Sequence, residues 1–358
     1  MTANLAFTYQ CAPARVIFGR GSLSRLGDEL AALGVHRALV LSTPEQRETA
    51  EAVASLLGGR SAGVFDRAVM HVPIEVAREA LAHAGSVGAD GMVAVGGGST
   101  IGLGKAVALE HGLPIVAVPT TYAGSEMTSI YGITEGGLKK TGRDPRVLPR
   151  AVLYDSALLR TLPLPTCVTS GFNAIAHAAE ALYAHDANPV VSLMAEEGMR
   201  AMTLALRGLQ AAPDSEALRE QGLYGAWLCG TVLGAVAMGL HHKLCHVLGG
   251  SFDLPHAQTH TVMLPHTLAY NAASAPAAMA CAARAIGVAP GQVPHAIHEL
   301  MRACDAPLAL KELGMPADAL DRAADLAVQN VYPNPRSLDR TALRALLQRA
   351  YEGATPEA

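Results

Sequence analysis

Short apolar runs rich in β-branched residues alternate with longer segments of helical periodicity over the first part of the chain. The apolar runs read ARVIFG, RALVLS, SAGVF, GMVAVG, PIVAVP and RAVLYD, the last of which ends at Asp155. In the segments between them, such as PEQRETAEAVASLL and PIEVAREALAHAG, apolar residues recur every three or four positions. Alternating strands and helices are typical of a mostly parallel sheet with helices on both faces. We therefore predict an α/β domain over residues 1–160.

From Pro163 onward the pattern changes, because β-branched runs give way to long segments rich in alanine and leucine. This predicts an all-helical domain over residues 161–358, and two domains suit a chain of 358 residues. The most apolar run, AWLCGTVLGAVAMGL, is shorter than the roughly 20 residues of a membrane span. We predict a buried helix there and no membrane partner.

Composition excludes several classes of function. Half of the residues are hydrophobic, 16% are charged and the formal net charge is −4, which predicts a globular enzyme and gives nucleic-acid binding no electrostatic support. The N-terminal MTANLAFTYQ lacks the features of a signal peptide. No two cysteines form a CxxC pair, which predicts reduced thiols and a cytoplasmic enzyme; the six are Cys11, Cys167, Cys229, Cys245, Cys281 and Cys304.

A glycine-rich turn lies between a predicted strand and a predicted helix in VAVGGGSTIGLGK, Val93 to Lys105. Backbone N–H groups at such a turn can hold a pyrophosphate, which the absence of side chains allows to come close. The stretch fits neither G-x-G-x-x-G nor the P-loop pattern, so a purely structural tight turn stays open. As cofactor-binding residues we predict Gly96, Gly97, Gly98, Ser99 and Thr100.

Two further polar segments follow strands of the same predicted sheet. VPTTYAGSEMTS contributes Thr120, Thr121 and Ser125 after the next strand, and VLSTPEQ contributes Thr43 after the second. Polar loops at the carboxyl ends of neighbouring parallel strands form the crevice where open α/β sheets bind ligands. Together these loops favour a dinucleotide. Thr43 replaces the acidic residue that would reject a 2′-phosphate and Glu45 lies close by, so we expect NADH and leave NADPH open.

A polar pair lies on the first long helix predicted in the second domain. In GFNAIAHAAEAL, Asn173 and His177 are four residues apart and project from one helix face. This is the spacing of half a helical metal site, but the first position is a neutral amide. An ordinary polar helix face and a metal site both stay open.

Six of the 14 histidines fall between His241 and His266. His242 and His246 are four residues apart on a helix that we expect the pair Gly249-Gly250 to end, and His256 returns after a short loop. Buried imidazoles need partners, and with the Asn173 pair this density suggests a divalent metal site. The carboxylate that such sites usually include is missing.

These segments, in this order, resemble the iron-containing (group III) alcohol dehydrogenase superfamily over essentially the whole chain. The resemblance implies a dehydroquinate synthase-like architecture and an NAD(P)-linked reaction. In members that bind iron or zinc the ligands are one Asp and three His, which would fall here on Asn173, His177, His242 and His256, with His246 near the nicotinamide as a proton relay. The matching positions are Gly96 to Ser99, Thr120, Thr121, Ser125, Glu126, His177, His242, His246 and His256.

Three departures resemble the maleylacetate reductase branch of this superfamily. Asn173 replaces the ligand Asp, Gly102 replaces the acidic residue usual after GGGS, and the TTYAGSE loop is one residue shorter. AVMHVP, SGFNAIAHAAEALYA and YPNPR are also similar to that branch. The resemblance implies NAD(P)H-dependent reduction of the C=C bond of maleylacetate, a small dicarboxylate, to 3-oxoadipate in the breakdown of aromatic compounds. It further implies a homodimer and no metal.

The chemistry of an enone suggests a role for each polar residue. Hydride addition to the carbon β to the ketone produces an enolate, which preorganised donors can stabilise. We expect His177, His242 and His256 to donate to the enolate or to a substrate carboxylate, Asn173 to support them, and His246 to protonate the enolate. Lys243 and, less directly, Arg336 are candidate partners for the carboxylates; a solvated side chain stays open for both.

Three other functions stay open on sequence alone. The first is a metal-dependent alcohol dehydrogenase using iron or zinc, against which Asn173 argues. The second is a lyase of the dehydroquinate synthase type, which keeps an intact metal site. The third is a nucleotide-binding module without catalysis, which would bind NADH tightly and not oxidise it.

Overall fold

A computed structural model describes residues 7–9, 15–136, 138–329 and 332–357 of the chain. Contacts divide the chain into two compact units, of which the first is Cys11–Leu162 and the second is Pro163–Ala358 with Met1–Gln10. The division lies beside the predicted domain boundary at residues 160 and 161.

The first unit is built on a parallel sheet of six strands in the order β1-β8-β5-β4-β2-β3. Each of the six apolar runs forms one strand, and the segments between the first five form helices, so the predicted fold class is confirmed. The strands are β1 Arg15–Phe18, β2 Ala38–Leu41, β3 Ser61–Phe65, β4 Gly91–Gly96, β5 Ile115–Pro119 and β8 Ala151–Tyr154, and the helices are α1 Leu26–Ala32, α2 Arg47–Leu57, α3 Ile74–Ser86 and α4 Gly98–His111.

The central strands are apolar throughout because both faces of the sheet are covered. Along β4, Met92 and Ala94 belong to a core that includes residues of α3 and α4. Val93 and Val95 belong to a different core that includes residues of α1 and α2. Successive side chains of a strand point to opposite faces, so one strand serves both cores.

An antiparallel hairpin in the first unit was not predicted. Its strands are β6 Ile130–Glu135 and β7 Leu138–Arg143. The sequence here reads IYGITEGGLKKTGR, in which glycine and charged residues interrupt any run of apolar positions. Short strands without a buried face carry a weak pattern, and pairing with each other defines them instead.

The second unit contains nine α-helices and no strand among its described residues, which confirms the all-helical prediction. The helices are α5 Leu164–Leu182, α6 Pro189–Ala211, α7 Glu216–Ala235, α8 Leu240–Phe252, α9 His256–Ala272, α10 Pro276–Ile286, α11 Val293–Ala303, α12 Leu320–Val328 and α13 Arg340–Glu352. No single described helix has both the length and the hydropathy of a membrane span. The helices α7 and α8 reach that length and hydropathy only when taken together, and they are bent by 96° relative to each other.

The expected end of α8 at the glycine pair is wrong. The helix continues through Gly249 and Gly250 to Phe252, and Asp253 adopts the left-handed conformation that ends it, at a φ of 55°. Gly249 is buried, which suits a residue without a side chain inside a packed helix. Aspartate tolerates the left-handed region better than most residues, so a glycine is not needed at the turn.

The buried histidine His266 makes the stability of the protein depend on pH. His266 on α9 is buried, and this burial lowers its pKa to about 4. The unfolded chain binds this proton near pH 6.5. Between these values the unfolded state binds more protons, so the free energy of unfolding falls as the pH drops, by about 2 kcal/mol from pH 7 to pH 5 for this residue. Urea unfolding at both pH values measures it.

Replacement of His266 by glutamine is expected to remove this part of the pH dependence. The same substitution at His295, an exposed histidine of α11, serves as the matched control and should leave the pH dependence as in wild type. A His266→Gln protein with the full wild-type difference between pH 7 and pH 5 contradicts the prediction.

Candidate active site

The glycine turn joins the end of β4 to the start of α4, within three residues. A Cβ on Gly96 would lie 2.3 Å from Thr100 Oγ1, and a Cβ on Gly97 would lie 2.9 Å from Thr121 Oγ1. Glycine is therefore required at both positions. Gly97, before the helix, has no side chain to cap it, so the first N–H groups of α4 can bind an anion. The turn fits the pyrophosphate of a dinucleotide.

The other predicted cofactor residues lie at the ends of adjacent strands. β2, β4 and β5 are neighbours in the sheet, and Thr43, the glycine turn and Thr120-Thr121 follow their carboxyl ends. Gln46, which sequence analysis missed, donates from Nε2 to Thr120 Oγ1 at 2.7 Å and so connects two of these loops. Strand order reverses between β2 and β4, which is the point where open α/β sheets bind ligands.

A buried lysine fixes the loop that contains Ser125. Lys105 on α4 donates from Nζ to the carbonyl oxygens of Ser125 and Ile130, both at 2.7 Å, and to Thr128 Oγ1 at 3.0 Å. Complete burial lowers its pKa to about 7. Three acceptors in place of water hold this side chain and therefore tie the loop to the glycine-turn helix.

Gly102 lies against the segment AVMHVP, Ala68 to Pro73. A Cβ at this position would lie 2.8 Å from Val72 Cγ2, so a side chain here would push away the segment AVMHVP. His71 and Val72 of that segment have positive φ values of 65° and 49°, and the carbonyl of Val72 accepts the N–H of Thr134 in β6. The small residue and the unusual segment therefore fit each other.

In the second unit, six histidines of α5, α8 and α9 lie together, and we call them the histidine cluster: His177, His241, His242, His246, His256 and His260. Neighbouring ring centroids lie 4.4–6.4 Å apart. Four of the six are buried, His256 is half-buried and His246 is exposed. The cluster thus has a buried interior and an edge formed by His246 and His256, whose rings stack at 6.4 Å.

A chain of hydrogen bonds runs through the interior. Asn173 Nδ2 lies 3.2 Å from His177 Nε2, and His177 Nδ1 lies 2.9 Å from His242 Nε2. His242 Nδ1 contacts the carboxylate of Glu180 in a short hydrogen bond. Both ring nitrogens of His177 and of His242 are therefore engaged within the protein.

Glu180 was missed by sequence analysis, although a signal for it exists. Asn173, His177 and Glu180 are spaced at i, i+4 and i+7, which places all three on one face of α5. The carboxylate is buried and also accepts the backbone N–H groups of His241 at 2.8 Å and His242 at 3.2 Å. These contacts hold the first turn of α8 against α5.

A second buried chain passes through His241 and His260, which were not predicted as site residues. The Thr267 hydroxyl donates to the carbonyl of Met263, so its oxygen accepts from His241 Nδ1 at 2.9 Å. His241 Nε2 is then the acceptor for His260 Nδ1, also at 2.9 Å. Burial lowers the pKa of both histidines well below the usual range. His260 Nε2 has no hydrogen-bond partner among the described residues.

By distance alone, the ligand atoms of His241, Cys245 and His260 could surround a metal ion, since all lie within 4.8 Å of one another. The chemistry of the set does not favour one. The two imidazoles already bond each other, and burial raises the pKa of the Cys245 thiol well above its usual range. A neutral thiol and two paired imidazoles form a hydrogen-bonded core.

The two cationic candidates differ in their surroundings. Lys243 is half-buried on α8, beside His242 in the chain. Arg336 packs over the ring of Tyr270, 4.2 Å from its centroid, and donates to the Tyr270 carbonyl at 3.2 Å. These contacts give Arg336 a structural role, since its side chain packs against and bonds to Tyr270 within the second unit.

Comparison with known proteins matches most of the chain. The model of the iron-containing alcohol dehydrogenases matches residues 13–156, and the C-terminal model of the Fe-containing alcohol dehydrogenase family matches residues 167–351. Maleylacetate reductases of Burkholderia cepacia and Pseudomonas knackmussii are 60% and 56% identical, over 98% of this chain and 99% of theirs. The crystal structure of maleylacetate reductase from Agrobacterium tumefaciens is 53% identical, with a TM-score of 0.93 over 98% of this chain and 99% of that one.

Proposed function

The chain belongs to the iron-containing alcohol dehydrogenase family, and from its similarity to the maleylacetate reductases within that family we propose that it reduces maleylacetate to 3-oxoadipate with NAD(P)H. The observation that carries the proposal is Asn173, an amide at the ligand position of the metal-dependent enzymes, bonded to His177 within a buried cluster of histidines. This environment suits an enone that becomes an enolate better than an alcohol held on a metal.

The reaction needs a hydride, a site for the enolate oxygen and a proton. Bound NAD(P)H supplies the hydride to the carbon β to the ketone. Residues of the chain then stabilise the enolate and protonate its α carbon, which gives the saturated ketone. Neutral or protonated imidazoles can do both, because they offer N–H groups at fixed positions.

Position in the cluster suggests how the histidines divide this work. His256 is half-buried at the edge, and we assign it the first contact with the enolate oxygen or a substrate carboxylate. His177 also donates from Nδ1 to the substrate if its bond to His242 opens, with Asn173 in support. His242 keeps its Nδ1 hydrogen on Glu180 and donates from Nε2 only in the imidazolium form. Lys243 is the proposed partner of a carboxylate. His246 is exposed, exchanges protons with water, and protonates the α carbon.

The donor set around Asn173 supports a reaction without a metal. Three imidazoles and an amide carry no negative charge, whereas iron and zinc sites of this family include a carboxylate. Two of the imidazoles bond each other and one bonds Glu180. A divalent cation would lack its anionic ligand and would have to break the first of these bonds.

Following NADH absorbance with maleylacetate, with and without a chelator, tests the proposal. We expect oxidation of NADH at the same rate in both cases, and no stoichiometric metal in the purified enzyme. Activity that depends fully on stoichiometric iron or zinc contradicts the metal-free mechanism. Oxidation of primary alcohols with added iron or zinc, in place of maleylacetate reduction, would favour an alcohol dehydrogenase.

Preference for NADH over NADPH is a further part of the proposal. Glu45 is exposed just after β2, and a hydrogen bond from its own backbone N–H and another from the Thr43 side chain lower the pKa of its carboxyl. A carboxylate here repels a 2′-phosphate. Glu45→Gln is expected to raise kcat/KM with NADPH several-fold relative to NADH, with Glu48→Gln, one turn further along, as control. An unchanged NADPH-to-NADH ratio would leave Glu45 without this role.

Location and assembly complete the proposal. The described cysteines Cys167, Cys229, Cys245, Cys281 and Cys304 are free thiols, which suits a cytoplasmic enzyme; Cys11 lies outside the described residues. We propose residues 1–160 as the dinucleotide-binding domain, residues 161–358 as the substrate domain and a homodimer in solution. Light scattering on the purified protein measures the last.

A further inference from the structure

Glu180 connects the histidine cluster to the start of α8. Gly239, the residue before this helix, has no side chain to cap it, and Glu180 accepts the N–H groups of the first turn from another helix. A carboxylate is favoured there by the helix dipole. A Cβ on Gly239 would lie 3.3 Å from Glu180 Oε1, so the glycine leaves space for this approach.

The same carboxylate determines which nitrogen of each histidine carries hydrogen. A carboxylate only accepts, so His242 must donate from Nδ1, and Nε2 of the neutral imidazole is then an acceptor. His177 therefore donates from Nδ1 and accepts at Nε2. Whatever occupies position 173 must donate, which an amide does and a carboxylate cannot.

We propose that Glu180 is a positioning residue that sets the direction of this hydrogen-bond chain, and that an amide at position 173 is the side chain matching that direction. The three contacts Asn173–His177, His177–His242 and His242–Glu180 need three hydrogens. Two of these hydrogens come from the neutral imidazoles and one comes from the Asn173 amide. An aspartate at 173 leaves two hydrogens for three contacts. A proton or a metal cation fills that deficit.

A specific compensation follows from this count. In Asn173→Asp combined with Glu180→Gln, the glutamine amide donates to His242 Nδ1, His242 Nε2 donates to His177 Nδ1, and His177 Nε2 donates to Asp at 173. The His242 backbone N–H loses its acceptor Oε2 in Glu180→Gln with either residue at 173, so this cost cancels in the comparison. Three contacts again have three hydrogens, with the direction reversed. The two mutated residues are seven positions apart, about 10 Å along α5, which is too far for a direct hydrogen bond. Coupling between them passes through the histidines or through repulsion of the two carboxylates, and the position of hydrogen on His242 distinguishes the two.

A double-mutant cycle over wild type, N173D, E180Q and N173D/E180Q tests the proposal. Each single substitution is expected to lower kcat/KM for maleylacetate, measured with chelator, by at least about tenfold. The kcat/KM of the double variant, expressed as a fraction of wild type, should be at least about tenfold higher than the product of the two single-variant fractions. If Glu180 only caps α8, Glu180→Gln lowers kcat/KM by the same factor whether residue 173 is Asn or Asp. The fraction remaining in the double variant then equals the product of the single-variant fractions within about a factor of two. That result overturns the proposal.

Two further measurements do not depend on enzymatic activity. The inference rests on the proposed function only in that the histidine cluster is taken as the place where maleylacetate reacts. NMR of ¹⁵N-histidine-labelled protein, with His242 assigned by its substitution, should show hydrogen on Nδ1 in wild type and on Nε2 in the double variant. Calorimetric titration with Zn²⁺ should show N173D binding at least tenfold tighter than wild type and than the double variant. Identical tautomers and equal zinc affinities overturn the inference; absence of maleylacetate turnover in wild type contradicts only the proposed function.

A matched charge control is available on α6. Glu197 is partly exposed and pairs with Arg200 three residues later at 2.7 Å. Glu197→Gln, alone and with N173D, should leave kcat/KM, the His242 tautomer and zinc affinity as in its parent protein. Coupling of N173D to Glu197→Gln as strong as its coupling to E180Q would show a general effect of charge and contradict the specific role of Glu180.

Discussion

Replacement of His246 by alanine is expected to lower the turnover of maleylacetate by about 10²–10⁴-fold, the usual contribution of a general acid. His246 lies at the exposed edge of the histidine cluster, 6.2 Å from the His242 ring and 6.4 Å from the His256 ring. It can therefore regain a proton from water after each cycle. Stopped-flow or steady-state NADH absorbance with saturating maleylacetate measures the loss.

His295→Ala, which removes an exposed imidazole elsewhere in the second unit, is the matched control and should keep wild-type turnover. NADH affinity should be unchanged in His295→Ala, because that residue lies outside both the proposed cofactor loops and the histidine cluster. Wild-type turnover in His246→Ala would remove this residue from the mechanism and leave His256 as the candidate acid.

Replacement of Gly98 by alanine is expected to weaken NADH binding by about 10–10²-fold, or about 1.4–2.7 kcal/mol, without loss of stability. Gly98 is the exposed first residue of α4, and a Cβ there would meet only Ala123, at 3.7 Å. The fold accommodates the methyl group. A pyrophosphate that approaches the helix N-terminus does not, because it needs the backbone uncovered. NADH fluorescence titration and thermal unfolding measure the two quantities.

Gly27→Ala provides the control, since this glycine lies inside α1 with no atom within 4 Å of an added Cβ. Its NADH affinity should equal that of wild type. Wild-type NADH affinity in Gly98→Ala would place the pyrophosphate away from the glycine turn and would contradict the prediction for Gly96–Thr100.

The strands and helices of the first unit could be predicted because each pattern has a local physical cause. A strand such as β4, covered on both faces, must be apolar along its length, and GMVAVG shows this directly. The hairpin of β6 and β7 lacked such a cause. Its strands lie outside the six-stranded sheet and have polar sequences, so no periodicity marked them.

The end of α8 was predicted wrongly for a related reason. A glycine pair commonly ends a helix, but the packing of Gly249 inside the second unit lets the helix continue to Phe252. Local preference was overridden by burial. Glycine as helix terminator and glycine as packing residue look the same in sequence.

The sequence by itself determined which residue types are available: a glycine turn after a strand, an amide four residues before a histidine, and a group of histidines without the expected carboxylate. Those features depend on spacing along one element, which a periodic backbone converts into a shared face or a fixed turn. Only the tertiary structure decided how α5, α8 and α9 combine them. Hydrogen-bond direction depends on which atoms of separate helices meet. The buried contact between Glu180 and His242 assigns that direction, and a donor such as the Asn173 amide matches it at the other end of the chain.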